Sequence, residues 1–354
     1  MHLPYSEFYI TNVCNLNCTN CNRANNFAFT GHQKWKDYAD LYAKWSQILK
    51  IDRIGILGGE PLLNPNFMEW ANGIRELWPN SNINIITNGT QLHRHPDLYE
   101  LLVNNHEKMQ LEINFHGFQQ KEKVMKDLMS WFKAPITKTV LHSHQSNKIW
   151  ADAYQRIKDP SWPECNTPEQ FVNLPEHIQK ECENDHHVSL SRWEEEVCTT
   201  LFQDANGVKV EVILSNYFNN STVLFDTATK ELTLNNSNPN KALEVCYSKT
   251  CHHFIKGKLH KCGPVGILPD FLQQFPVKLS VADRQLIDSY APADLSWSDQ
   301  KLSAFVDDLN AQKVIPQCKF CPENLNPVQF EASSAKIKLV KIKPNNNLSA
   351  TKSP

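Results

Sequence analysis

The stretch EFYITNVCNLNCTNC (residues 7–21) joins two signals. Its first half, EFYITNV, is rich in aromatic and β-branched residues and reads as a short strand. Its second half places Cys14, Cys18 and Cys21 within eight residues, with three residues in the first gap and two in the second. The next cysteine is Cys165, so no nearby thiol completes a set of four. Structural zinc takes four closed protein ligands, whereas a catalytic metal keeps one position open. A cubane iron–sulfur cluster normally takes four cysteines. Three thiolates on one loop therefore leave a coordination position for a ligand that is not protein. A zinc loop, or cysteines unrelated to metal, are the alternatives that the spacing leaves standing.

Outward from this stretch, helix-like and strand-like segments alternate to about residue 145. KDYADLYAKWSQILK (36–50) repeats Tyr38, Leu41, Tyr42, Trp45, Ile48 and Leu49 at helical spacing. IDRIGILGG (51–59) reads as a buried strand ended by glycines, and NFMEWANGIRELW (66–78) as a helix stopped by Pro79. INIITNGT (83–90), MQLEINFHG (109–117) and ITKTVLH (136–142) are further strands, separated by the helices PDLYELLVNN (96–105) and KEKVMKDLMSWFK (121–133). Such alternation predicts an α/β fold with parallel pairing and right-handed crossovers, either a barrel or a doubly wound sheet. The regularity then fades. A helical segment near 147–158 leads into the Pro-rich SWPECNTPEQFVNLPEH (161–177), and residues 158–206 read as an irregular insertion. GVKVEVIL (207–214) is the candidate sixth strand. Beyond Ser215 we expect short strands, turns and a second cysteine group, and from residue 329 a polar, disordered tail.

The whole chain narrows the function classes. A formal net charge of -2 over 354 residues gives no electrostatic case for broad nucleic-acid or membrane-surface binding. No apolar run is long enough to span a membrane, and MHLPYSEFYITNVC lacks the form of a signal peptide, so a cytoplasmic location is expected. In that setting eleven cysteines argue for metal ligation over disulfides. They fall into Cys14, Cys18 and Cys21; a distant group of Cys246, Cys251, Cys262, Cys318 and Cys321; and the scattered Cys165, Cys182 and Cys198, which read as ordinary core or loop residues.

The strand ends add polar groups where α/β barrels carry their sites. ILGGEP (56–61) ends the second strand; Gly58 and Gly59 permit close backbone approach, and Glu60 offers an acceptor suited to a cation. Thr87, Asn88 and Gly89 end the third strand. Asn114 and His116, in NFHG, end the fourth, and His142 and His144 follow the fifth. A strand-to-helix turn or an ordinary NG turn is the plainer reading of each alone.

C-x3-C-x2-C after a first strand, followed by GGE and TNG at the next two strand ends, resembles the radical S-adenosylmethionine (SAM) enzymes. The resemblance implies a partial (β/α)6 TIM-like barrel over residues 1–214. It also implies a [4Fe–4S] cluster on Cys14, Cys18 and Cys21, with the cofactor's methionine part on the fourth iron. Reductive cleavage of S-adenosylmethionine to a 5′-deoxyadenosyl radical, which takes hydrogen from a substrate, is the implied chemistry. Gly58, Gly59 and Glu60 would meet the cofactor's ammonium group. Asn20 stands where the family usually has an aromatic residue by the adenine. Thr87, Asn88, Asn114 and His116 would line the same pocket.

The second group reads CYSKTCHHFIKGKLHKC (246–262) and CKFC (318–321), with Gly257 suited to a hairpin turn. It resembles the SPASM/twitch extensions of these enzymes, which implies one auxiliary iron–sulfur cluster over residues 215–328. Cys246, Cys262, Cys318 and Cys321 are the candidate ligands, with Cys251 as the ambiguous fifth; a structural zinc site is the alternative. His252, His253 and His260 are not needed as ligands. The expected protein is thus an oxidoreductase of unidentified small-molecule or peptide substrate, served by an electron donor such as flavodoxin or ferredoxin. A non-catalytic iron–sulfur or zinc module, or an electron carrier, is the reading from another class.

Overall fold

A computed structural model describes residues 1–18, 21–115, 121–144, 197–214, 217–218, 222–246, 248–324 and 328–329. Four parallel strands form its centre: β1 (His2–Tyr9), β2 (Lys50–Leu57), β3 (Asn82–Thr87) and β4 (Met109–Phe115). The helices α1 (Ala39–Ile48), α2 (Phe67–Leu77) and α3 (Leu98–Asn104) connect them, close to where periodicity places them. Buried Ile54 and Ile56 of β2, Ile83 and Ile85 of β3, and Leu111 and Ile113 of β4 pack with Tyr42, Trp45, Trp70 and Ile74 of the helices.

After α4 (Lys121–Trp131) the order departs from expectation. β5 (Ile136–His144) does not lie beside β4; β7 (Lys209–Leu214) does, parallel to it. β6 (Val197–Asp204) runs antiparallel between β7 and β5. The strand β6 falls inside the stretch 158–206 that reads as irregular. The choice of neighbour follows side-chain character. Val208, Val210 and Val212 are buried, whereas β5 exposes Thr137 and Lys138, which suit a sheet edge. The predicted segment 147–158, Cys165 and Cys182 lie outside the described residues, as does the tail after 329.

The chain then adds two short antiparallel pairs, β8 (Tyr217–Phe218) with β13 (Val328–Gln329) and β9 (Val223–Phe225) with β10 (Leu232–Leu234). After α5 (Pro239–Glu244) comes the hairpin β11 (His252–Ile255) and β12 (Lys258–His260). Its turn residues Lys256 and Gly257 have φ of 51° and 77°, the twist a two-residue hairpin demands. The Gly257 carbonyl accepts from Trp45 Nε1 at 2.9 Å, docking the turn on α1. β11 pairs in parallel with β1, setting Glu7 opposite His253 and stacking Phe8 on Phe254. Among the described residues the sheet is open, ordered β12–β11–β1–β2–β3–β4–β7–β6–β5.

Three helices follow where short strands and turns were expected: α6 (Gly263–Gln274), α7 (Val281–Asp288) and α8 (Asp299–Asn310). Ser280 and Ser298 cap the last two by accepting from Asp283 N and Lys301 N. Leu302, Val306 and Leu309 of α8 join Phe254 and Leu259 in the same core as the central strands. No helix among the described residues is long and apolar enough to cross a membrane.

Candidate metal and cofactor site

The N-terminal cysteines ride on the segment that leaves β1 at the C-terminal end of the parallel strands. Its first residues continue the strand pairing: Gly59 N donates to Thr11 O at 2.7 Å and Glu60 N to Val13 O at 2.8 Å. This contact explains both glycines. A Cβ on Gly58 would meet Thr11 O at 2.6 Å, and one on Gly59 would meet Val13 O at 2.4 Å. The close approach they permit is therefore to the cysteine loop itself. Beyond Val13 the loop turns on itself, with Cys21 N donating to Cys18 O and Ala24 N to Cys21 O. Cys14 Sγ accepts from Leu16 N at 3.4 Å, and Cys21 Sγ donates to Asn25 Oδ1 at 3.7 Å. Asn25 in turn donates to Asn12 O. The loop's trailing residues Ala24, Phe27 and Phe29 are buried against Phe271 and Phe275 of the α6 region.

Glu60 is fully buried. Its Oε1 accepts from Leu62 N at 3.0 Å and Thr87 Oγ1 at 2.6 Å, and its Oε2 from Asn88 N at 2.7 Å. Burial raises its pKa, and these hydrogen bonds only partly oppose that, so it sits near 7. Asn88 Nδ2 donates to Asn15 Oδ1 at 3.0 Å, tying the third strand end to the cysteine loop. Glu60, Thr87 and Asn88 thus form one connected set that fixes the two strand ends around the loop. Asn114 is separate: its Nδ2 donates to Glu112 Oε1 within β4. Asn20 and His116 lie outside the described residues, and so do the side chains of His142 and His144.

The second group is assembled from three places in the chain. Cys246 follows α5, Cys262 follows β12 and precedes α6, and Cys318 lies within the turn Pro316–Phe320, which Cys321 ends. All four are thiols, as is Cys251. Burial pushes Cys246, Cys262 and Cys321 above the ordinary thiol range, Cys321 to about 12. Cys262 and Cys321 each feel Cys246 and Cys318, and Cys246 feels Cys318; α5, which leads to Cys246, packs on the turn that carries Cys318. Cys251 differs: apart from burial, it feels Glu7, Arg23, Cys246 and Arg53. Among the described residues, no three of His, Cys, Asp and Glu converge closely enough to hold a single metal ion.

Between the two groups lies a buried charge network that sequence reasoning missed. Glu7 Oε2 is 2.7 Å from His253 Nε2 and 3.0 Å from Arg23 Nη2, while Tyr5 OH donates to Glu7 Oε1 at 2.8 Å. Burial raises the Glu7 pKa, but His253, Arg23 and Tyr5 outweigh it and hold the carboxyl at about 2. The one local signal was a glutamate beside the buried Ser6, Phe8 and Tyr9 of β1.

Both groups fit soft-metal chemistry. Three thiols closely spaced on a loop supply an iron–sulfur donor set with one position over. Next to Cys262 in the chain, Lys261 Nζ is buried and has no hydrogen-bond partner among the described residues, as a cation facing an anionic group would be.

Comparison with known proteins adds the following. Residues 8–158 match the Radical SAM superfamily profile. A search of curated proteins returned no match. Among solved structures, one described as the crystal structure of BtrN in complex with AdoMet and 2-DOIA aligns over 92% of this chain and 93% of that one. Its identity is 13% and its TM-score 0.35, a likeness too loose to bear on this chain's chemistry. Residues 8–158, which hold the first cysteine group and the strands β2, β3 and β4, are thus identified as a radical SAM domain.

Proposed function

We propose that this protein is a radical SAM enzyme with a second iron–sulfur site, acting by hydrogen abstraction on a small-molecule or peptide substrate. The observation that carries the reading is the fastening of the Cys14–Cys21 loop across the ends of β1, β2 and β3, through Gly59, Glu60 and Asn88. When bound, the cluster and S-adenosylmethionine supply a one-electron reductive cleavage whose carbon radical removes hydrogen from substrate. The chain's part is to hold and orient. Cys14, Cys18 and Cys21 are the ligands of the first site. Gly58 and Gly59 hold the loop against β2. Glu60, through Thr87 and Asn88, locks the two strand ends against the cysteine loop, acting as a positioning residue.

For the second site we assign Cys246, Cys262, Cys318 and Cys321, with Cys251 outside the set. The mutual action of the first four supports this, as does the different surroundings of Cys251. An electron donor of the flavodoxin or ferredoxin kind would serve the first site. Anaerobic reconstitution followed by dithionite and S-adenosylmethionine tests the reading: 5′-deoxyadenosine is the expected product. Its absence, with zinc rather than iron at both groups, would mark a non-catalytic metal module instead. Changing Cys14, Cys18 and Cys21 together to alanine removes about half the iron if each group holds one four-iron cluster.

A further inference from the structure

Lys261 stands immediately before Cys262, and among the described residues its buried Nζ has no hydrogen-bond partner. Its backbone is held on both sides: Lys261 N donates to Tyr290 OH at 2.9 Å, and its carbonyl lies 2.8 Å from His252 Nδ1. The side chain is only 5% exposed, and Nζ meets no hydrogen-bond acceptor among the described residues. An isolated buried ammonium costs several kcal/mol unless an opposite charge faces it. A lysine usually avoids this by extending its head to water. Here the backbone anchors and the burial together forbid that escape.

The groups around Lys261 belong to the second cysteine set. It adjoins Cys262 in the chain, and Tyr290, whose hydroxyl accepts from Lys261 N at 2.9 Å, lines one pocket with Cys321. In keeping with this, Lys261 draws the Cys246 thiol down against the effect of burial. Cys246 belongs with Cys262, Cys318 and Cys321 to the assigned set of four half-buried thiols. Four thiolates around an iron–sulfur core leave a net negative charge, which grows by one on reduction. A fixed cation beside it lowers the free energy of both states, and of the reduced state more, because that state carries the larger negative charge. Burial, hydrogen bonding and net charge are the protein's levers on such potentials.

We propose that the Lys261 ammonium is the built-in counter-charge of the second iron–sulfur site and sets its reduction potential upward. The proposal rests on the assignment of Cys246, Cys262, Cys318 and Cys321 as a cluster site. Lys261 is a positioning and tuning group here; it is not a ligand.

The test uses the full chain with Cys14, Cys18 and Cys21 changed to alanine, so that only the second site contributes. Lys261, Lys261→Arg and Lys261→Met forms are reconstituted anaerobically, their iron and sulfide are counted, and the reduced fraction is followed by electron paramagnetic resonance during a dithionite titration. We expect the Lys261→Met form to show at least a tenfold lower ratio of reduced to oxidised cluster at fixed potential. For a one-electron couple that is a downward shift of about 59 mV. Lys261→Arg, which keeps the charge, should stay near the parent. Loss of the cluster from Lys261→Met alone also supports a charge role. An unchanged ratio in Lys261→Met, or equal loss from both variants, overturns it. A parent that binds no iron sinks the underlying site assignment instead, which separates the two failures.

Discussion

At Glu60 and Glu7 the same side chain meets opposite surroundings, and the two respond to pH with opposite sign. Glu60 is raised from 4.5 to about 7 by burial, which three neutral donors do not fully offset. Its native form therefore favours the proton, so its contribution to stability is present below pH 4.5 and lost as pH rises toward 7. Glu7 is lowered from 4.5 to about 2, because His253, Arg23 and Tyr5 outweigh its burial. Its contribution is present above pH 4.5 and lost as pH falls toward 2. Urea denaturation measured across pH should thus show Glu7→Gln flattening the acid limb and Glu60→Gln flattening the fall between pH 4.5 and 7. At neutral pH Glu60→Gln carries a further cost. One acceptor oxygen becomes a donor facing Thr87 Oγ1 or Asn88 N, leaving a buried donor unpaired. The expected loss is about 1–3 kcal/mol, read as a lower denaturation midpoint.

The elements of this fold were legible wherever pattern is local. The helices α1 to α4 and strands β2 to β5 fall within a few residues of their periodic segments, while β1 begins five residues ahead of the stretch that predicts it. Neighbour order was not legible, because periodicity says that a strand is buried without saying by what; β7 displaced β5 from beside β4 for that reason. The helix α6 was hidden by Gly263, Pro264, Gly266 and Pro269, residues of low helix propensity that tertiary packing overrides. The helix α7 buries only Ile287 among its own residues, a weak apolar stripe. The Glu7–Arg23–His253 network and the setting of Lys261 depend on residues far apart in sequence, so no window of the chain contains them. The glycines were expected to let backbone approach a ligand; what lies against them is the backbone of the loop. Gly59→Ala therefore tests an element contact: its Cβ would lie 2.4 Å from Val13 O, and the loop must shift. We expect a stability loss of about 1–3 kcal/mol and iron at the first cysteine group to fall below that of the parent, with the second group's iron retained.

At the scale of the whole molecule, the C-terminal stretch holds the N-terminal loop in place. The hairpin β11–β12 extends the central sheet, and α6 lays Phe271 against the loop that carries the cysteines. Phe271 is 1% exposed, and its ring centroid lies 5.7 Å from that of Phe27 and 5.4 Å from that of Phe29. Phe271→Ala should cost about 3–5 kcal/mol, as other large-to-small core changes do. The loss should not be shared evenly. Aromatic contacts here bridge the loop to the helix, so their removal raises the population of a locally opened loop more than it loosens the central strands. In a full chain with Cys318 and Cys321 changed to alanine, leaving the first group as the iron site, a chelator should strip iron at least tenfold faster from Phe271→Ala. Leu102→Ala provides the comparison. Leu102 is fully buried in the central core, outside the loop's aromatic cluster, so its truncation lowers global stability by about 2–5 kcal/mol without unfastening the loop. Equal stripping rates in the two variants would mean that the loop opens only when the whole chain does, and that α6 confers global stability without acting as a clamp.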